Sequence, residues 1–141
     1  MLSSPSEQFR GQATPFGDTS YFIAPTDPRD QWRSRAVKVA ERDRGRLKVT
    51  ELVMSESITT VGAHCGAKPA RQLYEFFLDS TEILYSTPDV FDEAMDDHTR
   101  FDGALSVSDG VTVVGMARSK DLYVVSFGSD FDKVRGIHRT S

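Results

Sequence analysis

The sequence predicts a three-layer α/β/α sandwich around a central, mainly parallel sheet. Three observations carry this. Short apolar runs alternate with helical patterns along most of the chain, the arrangement that lays strands side by side with helices on both faces. Segment 122–127 (LYVVSF) is an unbroken apolar run, as expected of a strand covered on both sides. The 141 residues, 38% hydrophobic and 10% aromatic, supply one core but not two.

The elements follow in order. Met1 to Ala13 is a polar lead without periodicity, read as a flexible tail, so the folded domain runs over 14–141. Thr14 to Gly17 is a short first strand, with Pro15 allowed only at its start or on an edge. Thr19 to Ala24 forms an apolar helical turn that Pro25 ends. Asp27 and Pro28 open a helix with an acid at the cap and proline in the first turn. Trp32, Ala36, Val39 and Ala40 give that helix one apolar face, and Gly45 ends it. Leu47 to Val49 is a strand, followed by a helix from Thr50 to Gly62. Lys68 to Leu78 is a helix with Leu73, Phe76 and Phe77 inward, and Glu82 to Ser86 is a strand. Thr87, Pro88 and Asp89 cap a helix carrying Val90, Phe91, Ala94 and Met95. Ser106 or Ser108 starts the last helix, and a short strand near Ile137 closes the chain.

Composition excludes several classes. Lys and Arg number 17 against 21 Asp and Glu, a net charge of −4, so the chain is no generally basic nucleic-acid coat. A single cysteine, Cys65, excludes a disulfide framework and a multi-thiolate zinc site. No apolar stretch approaches the ~20 residues of a membrane helix, and the polar start lacks a signal-peptide core. The expectation is a soluble, cytoplasmic domain. The charge is uneven: 29–48 holds eight basic residues against three acids, while 75–109 holds ten acids and one arginine. The basic run is either a solvated helix face or a surface that guides a polyanion such as RNA.

In parallel α/β sheets ligands bind at the carboxyl ends of the strands. Asp18 follows the first strand, Glu56 lies in the helix after the second, Asp109 lies near the start of the last helix, and Asp130 lies just past the strongest strand. Unpaired carboxylates brought together repel one another, and a hard divalent cation relieves that repulsion. Each acid also has a structural reading: Asp18 as a helix cap, Asp109 as a first-turn charge, Asp130 as a turn residue. Glu56, on the inward side of an otherwise apolar helix, is the hardest to explain structurally.

At these same positions the sequence resembles the PIN domain family. Segment 16–24 (FGDTSYFIA) resembles its opening strand ending in Asp. Segment 51–56 (ELVMSE) resembles the helix whose interior Glu points into the site. Segments 105–110 (LSVSDG) and 125–132 (VSFGSDFD) resemble the third and fourth blocks. Order and spacing agree over 14–139, and the likeness is nearest to VapC-type toxins. The resemblance implies a metal-dependent endoribonuclease that cleaves RNA through metal-activated water, leaving 5′-phosphate and 3′-hydroxyl ends. It assigns Asp18, Glu56, Asp109 and Asp130 to catalysis and to Mg²⁺ or Mn²⁺. Thr19, Ser20 and Ser126 fall at small polar positions that orient those acids or a phosphate. It also implies a separate antitoxin protein and a homodimer. The fourth block departs from the pattern, since Gly128 stands where the family usually has an acid. The alternative function is therefore a catalytically weakened or inactive PIN domain that binds RNA or protein. No Gly-x-x-x-x-Gly-Lys run supports a nucleotide-dependent phosphoryl transferase.

Overall fold

The computed structural model describes residues 14–42 and 46–140. The expected tail over 1–13 and the expected helix stop at Gly45 lie outside them. The elements are β1 (Phe16–Gly17), α1 (Thr19–Ile23), α2 (Arg33–Arg42), β2 (Leu47–Thr50), α3 (Glu51–Cys65) and α4 (Ala67–Ser80). Then come β3 (Thr81–Leu84), α5 (Pro88–Arg100), α6 (Val107–Ser119), β4 (Tyr123–Val125), a 3₁₀ turn (Asp130–Lys133) and β5 (His138–Thr140).

The five strands form one sheet in the order β3-β2-β1-β4-β5, and every pairing is parallel. β1, only two residues long, is the central strand. Phe16 pairs with Lys48 of β2 and with Val124 of β4, while Gly17 pairs with Val125. Pro15 precedes the strand, and its carbonyl accepts a hydrogen bond from Lys48 N. Lacking a donor, Pro15 joins the sheet only through that carbonyl.

Alternation along these strands separates two apolar layers. Val49 and Val125 face a cluster with Tyr21, Phe22, Val39, Val53, Leu73 and Phe77, contributed by α1 to α4. Phe16 and Val124 face Leu105, Val113, Met116 and Phe131 on the other side. Gly17 has a steric reason: a Cβ there would stand 2.4 Å from the Phe22 ring. The small residue lets α1 fold back tightly against β1, directly after Asp18.

Helix boundaries differ from expectation at α2. Asp27 and Pro28 do not open it; the helix begins at Arg33. The Asp27 carboxylate instead accepts from the Arg29 amide at 3.0 Å, and Asp30 accepts from the Trp32 amide at 2.8 Å. Two successive side-chain-to-backbone turns delay the helix. α3 and α6 start as expected, because Thr50 accepts from Val53 N and Ser106 accepts from Asp109 N. Among the described residues no helix is long and apolar enough to cross a membrane.

Candidate active site

The first carboxylate sits where β1 turns into α1. Asp18 lies between β1 and α1, and its amide donates to the Val125 carbonyl at 3.0 Å, extending the sheet pairing by one residue. Asp18 occupies the N-cap position of α1 as expected, but its side chain makes no capping hydrogen bond to the helix. It accepts instead from Ser126 Oγ at 3.0 Å and from Ser20 Oγ at 3.4 Å, two hydroxyls themselves 3.3 Å apart. Ser20 Oγ accepts from the Phe127 amide and Ser126 Oγ from the Gly128 amide. These bonds stitch α1 to the loop after β4 and hold the Asp18 carboxylate in one orientation. Thr19, the first residue of α1, meets the Asp18 carboxylate through its backbone amide.

Asp109 comes from the opposite layer. Ser106 caps α6, which places Asp109 in the first turn. His98 holds the preceding turn through its ring, whose Nδ1 lies 2.7 Å from the Leu105 carbonyl. Gly110, next in the helix, lets α6 lie against α5; a Cβ there would stand 3.1 Å from the Ala94 carbonyl oxygen. Burial, then the negative charge of Asp18, and to a smaller degree that of Asp130 and Glu56, push the Asp109 carboxyl up to about 7. Burial also pushes Asp18 up, against the opposing pull of the nearby amides and hydroxyls. The four acids chosen from sequence therefore share one electrostatic neighbourhood at the carboxyl edge of β1 and β4.

They are not equivalent. Glu56 is exposed and does not lie on the inward face of α3 as expected. The buried α3 positions are Val53, Ser57 and Val61, one turn apart, and Glu56 falls beside that stripe. Asp130, also exposed, accepts from Lys133 Nζ at 3.2 Å, and the same ammonium donates to the Ala104 carbonyl. Asp132 does not make up for Gly128, because both its oxygens pair with Arg139 and that guanidinium draws its pKa down. Arg139 also donates to the Ser126 carbonyl, bracing the loop that carries the Ser126 hydroxyl.

The donor chemistry fits Mg²⁺ or Mn²⁺: carboxylate oxygens only, with Asp18 and Asp109 destabilised in charged form by burial and Asp109 also by the charge of Asp18. Among the described residues no three His, Cys, Asp or Glu side chains stand close enough to hold an ion as a finished cage. The fit lies in ligand type and unrelieved repulsion. Any ion here would complete its shell with water or phosphate oxygens, as Mg²⁺ commonly does.

Two buried or braced acids escaped the sequence reading. Asp121 is fully buried at the amino end of β4, with Lys48 Nζ 3.8 Å away and the Tyr123 amide beside its carboxyl. It lies at the opposite edge of the sheet from Asp18. Glu51 accepts from the Ser86 amide and hydroxyl, fastening the start of α3 to the loop after β3.

A parallel α/β domain with carboxylates gathered beyond its two middle strands is the class that this geometry defines. The PIN domain family model matches residues 16–137, and the chain belongs to that family. Solved structures share the fold. VapC20 of Mycobacterium tuberculosis, described as a sarcin–ricin loop cleaving toxin, aligns with TM-score 0.79 at 20% identity, covering 85% of this chain and 94% of that one. A toxin–antitoxin complex from Klebsiella pneumoniae gives TM-score 0.67 at 13% identity, covering 89% and 96%. VapBC2 of Rickettsia felis, bound to a fragment of its promoter DNA, gives 0.63 at 11%, covering 90% and 97%. None of the curated proteins matches the sequence.

Proposed function

We propose that the chain is a divalent-metal-dependent endoribonuclease acting as the toxin of a toxin–antitoxin pair. What supports this is that the charge of Asp18, and to a smaller degree those of Asp130 and Glu56, reach Asp109 from separate parts of the chain and raise its carboxyl. Family membership and the shared fold of VapC20, a sarcin–ricin loop cleaving toxin, support the same reading. A bound Mg²⁺ or Mn²⁺ would supply positive charge for water attack on phosphorus and for departure of the 3′ oxygen.

The chain's own residues prepare that step. Asp18 and Asp109 supply the inner oxygens, and Glu56 and Asp130 add negative charge from the exposed rim. Ser126 and Ser20 keep the Asp18 carboxylate from rotating, and their hydroxyls orient it for the ion. A separate antitoxin protein is part of the proposal, by analogy with the toxin–antitoxin assemblies that share the fold, and a homodimer is proposed from the family resemblance.

The second reading is a weakened or inactive domain that binds RNA or protein. Gly128 and the lysine on Asp130 favour it, because both reduce the charge available to hold a cation. A cleavage assay on end-labelled RNA, titrated with Mn²⁺, separates the two. Metal-dependent internal cuts that vanish in Asp18→Asn establish the nuclease. RNA binding with no cleavage at any metal concentration establishes the binding module.

A further inference from the structure

The basic run over 29–48 divides once its side chains are placed. Arg29 pairs with Asp27 and donates to the His64 carbonyl at 2.9 Å. Arg46 donates to the Thr81 carbonyl, and Lys48 faces the buried Asp121. These three serve the fold. Arg33, Arg35 and Lys38 are exposed on α2, and among the described residues no carboxylate pairs with any of them.

Arg35 and Lys38 stand three positions apart, so they share one flank of the helix, with side chains about 5–6 Å apart at their bases. Arg33 falls on the other flank, two residues and more than half a helical turn from Arg35. The Arg35 guanidinium lies over the Trp32 ring, 5.9 Å from its centroid. Trp32 stacks on Phe127 at 5.5 Å and 13°. The Phe127 amide in turn donates to Ser20 Oγ, which contacts Asp18. A continuous stack of cation, indole and phenyl thus joins the free flank of α2 to the acidic site.

We infer that Arg35 and Lys38 form a phosphate clamp for a single RNA strand, held at fixed distance from the reacting phosphodiester by the Arg35–Trp32–Phe127 stack. The inference rests on the ribonuclease reading and adds where the substrate lies. The occupant follows from charge complementarity: two unpaired cations one turn apart match successive phosphates of one strand, and they adjoin an edge that repels a polyanion unless a cation is bound. The clamp supplies the attraction that the acids oppose, so the strand enters over α2 and meets the carboxylates at Asp18.

The test measures binding apart from cleavage. Fluorescein-labelled oligouridylate is titrated with the full chain carrying Asp18→Asn, across a series of salt concentrations. Each phosphate contact on a single strand contributes about 0.7 to the slope of log K against log salt. Arg35→Gln with Lys38→Gln is expected to make that slope shallower by about 1.4. Arg33→Gln, one charge on the opposite flank, is expected to leave it nearly unchanged. An unaltered slope in the double variant overturns the clamp, and so does an equal change per charge from Arg33→Gln, which would indicate a diffuse field. Absence of salt-dependent RNA binding in the parent chain, with no metal-dependent cleavage by the unsubstituted protein, overturns the ribonuclease reading with it. Cleavage by that protein together with an unaltered slope overturns the clamp alone.

Discussion

Replacing Asp109 by asparagine is expected to stabilise the metal-free chain, and only towards neutral pH. The Asp109 carboxyl sits at about 7 in the fold, raised from 3.8 by burial first and then by the charge of Asp18. Between these two values the folded chain keeps a proton that the unfolded chain releases. Stability contributed at this position therefore falls as pH rises from about 4 to about 7, the reverse of a salt-bridged carboxylate. At 1.36 kcal/mol per pH unit the ceiling is about 4 kcal/mol. Asp109 is partly exposed, and solvent screening reduces the expected penalty to about 1–2 kcal/mol. Asparagine keeps the size and loses the charge. Urea unfolding of the parent and of Asp109→Asn, both in chelator, is compared at about pH 4 and about pH 8. The two should coincide at the lower pH, and the variant should gain at the higher. A pH-independent difference, or a parent more stable at pH 8, would refute the crowding of carboxylates around Asp109.

Other substitutions probe the supports of the site. Ser126→Ala removes a buried hydroxyl that donates to Asp18 and accepts from Gly128 N, and should cost about 1–2 kcal/mol in urea unfolding. It should also weaken Mn²⁺ binding, since Asp18 loses its closest donor. Gly128→Asp should fold normally, because a Cβ there meets only Ser126 Oγ at 3.8 Å, and calorimetry should show tighter Mn²⁺ binding than the parent. Lys48→Met leaves Asp121 buried without its cation, and should cost about 3 kcal/mol at neutral pH. That loss should shrink in acid, where Asp121 is protonated, and thermal unfolding across pH checks it.

The layers of the fold were legible because each strand and helix announces its buried face. The apolar run around Val124 and Val125, and the caps at Thr50 and Ser106, lie where local chemistry puts them. β1 was harder. Its two residues hold the sheet's centre because Phe16 pairs on both sides and Gly17 with Val125, and Gly17 is small to admit the Phe22 ring, which periodicity cannot show. The start of α2 was misplaced because Asp27 and Asp30 form turns with backbone amides, a choice that Asp-Pro alone does not reveal. Within the site, Asp18 was identified by its place after the first strand and Ser126 through the family resemblance, and they hydrogen-bond directly. Glu56 was expected inside and stands outside, since a one-position change around a helix moves a side chain by 100°, and only neighbouring elements decide which stripe is covered. Asp121 carries no sequence signal distinguishing it from twenty other acids.

The most direct measurement is calorimetric titration of Mn²⁺ into the unsubstituted chain and into Asp18→Asn and Asp109→Asn. Saturable binding by the parent that either single substitution weakens at least about tenfold is the expected result. No binding by the parent, or equal binding by all three chains, would contradict a shared cation between β1 and α6.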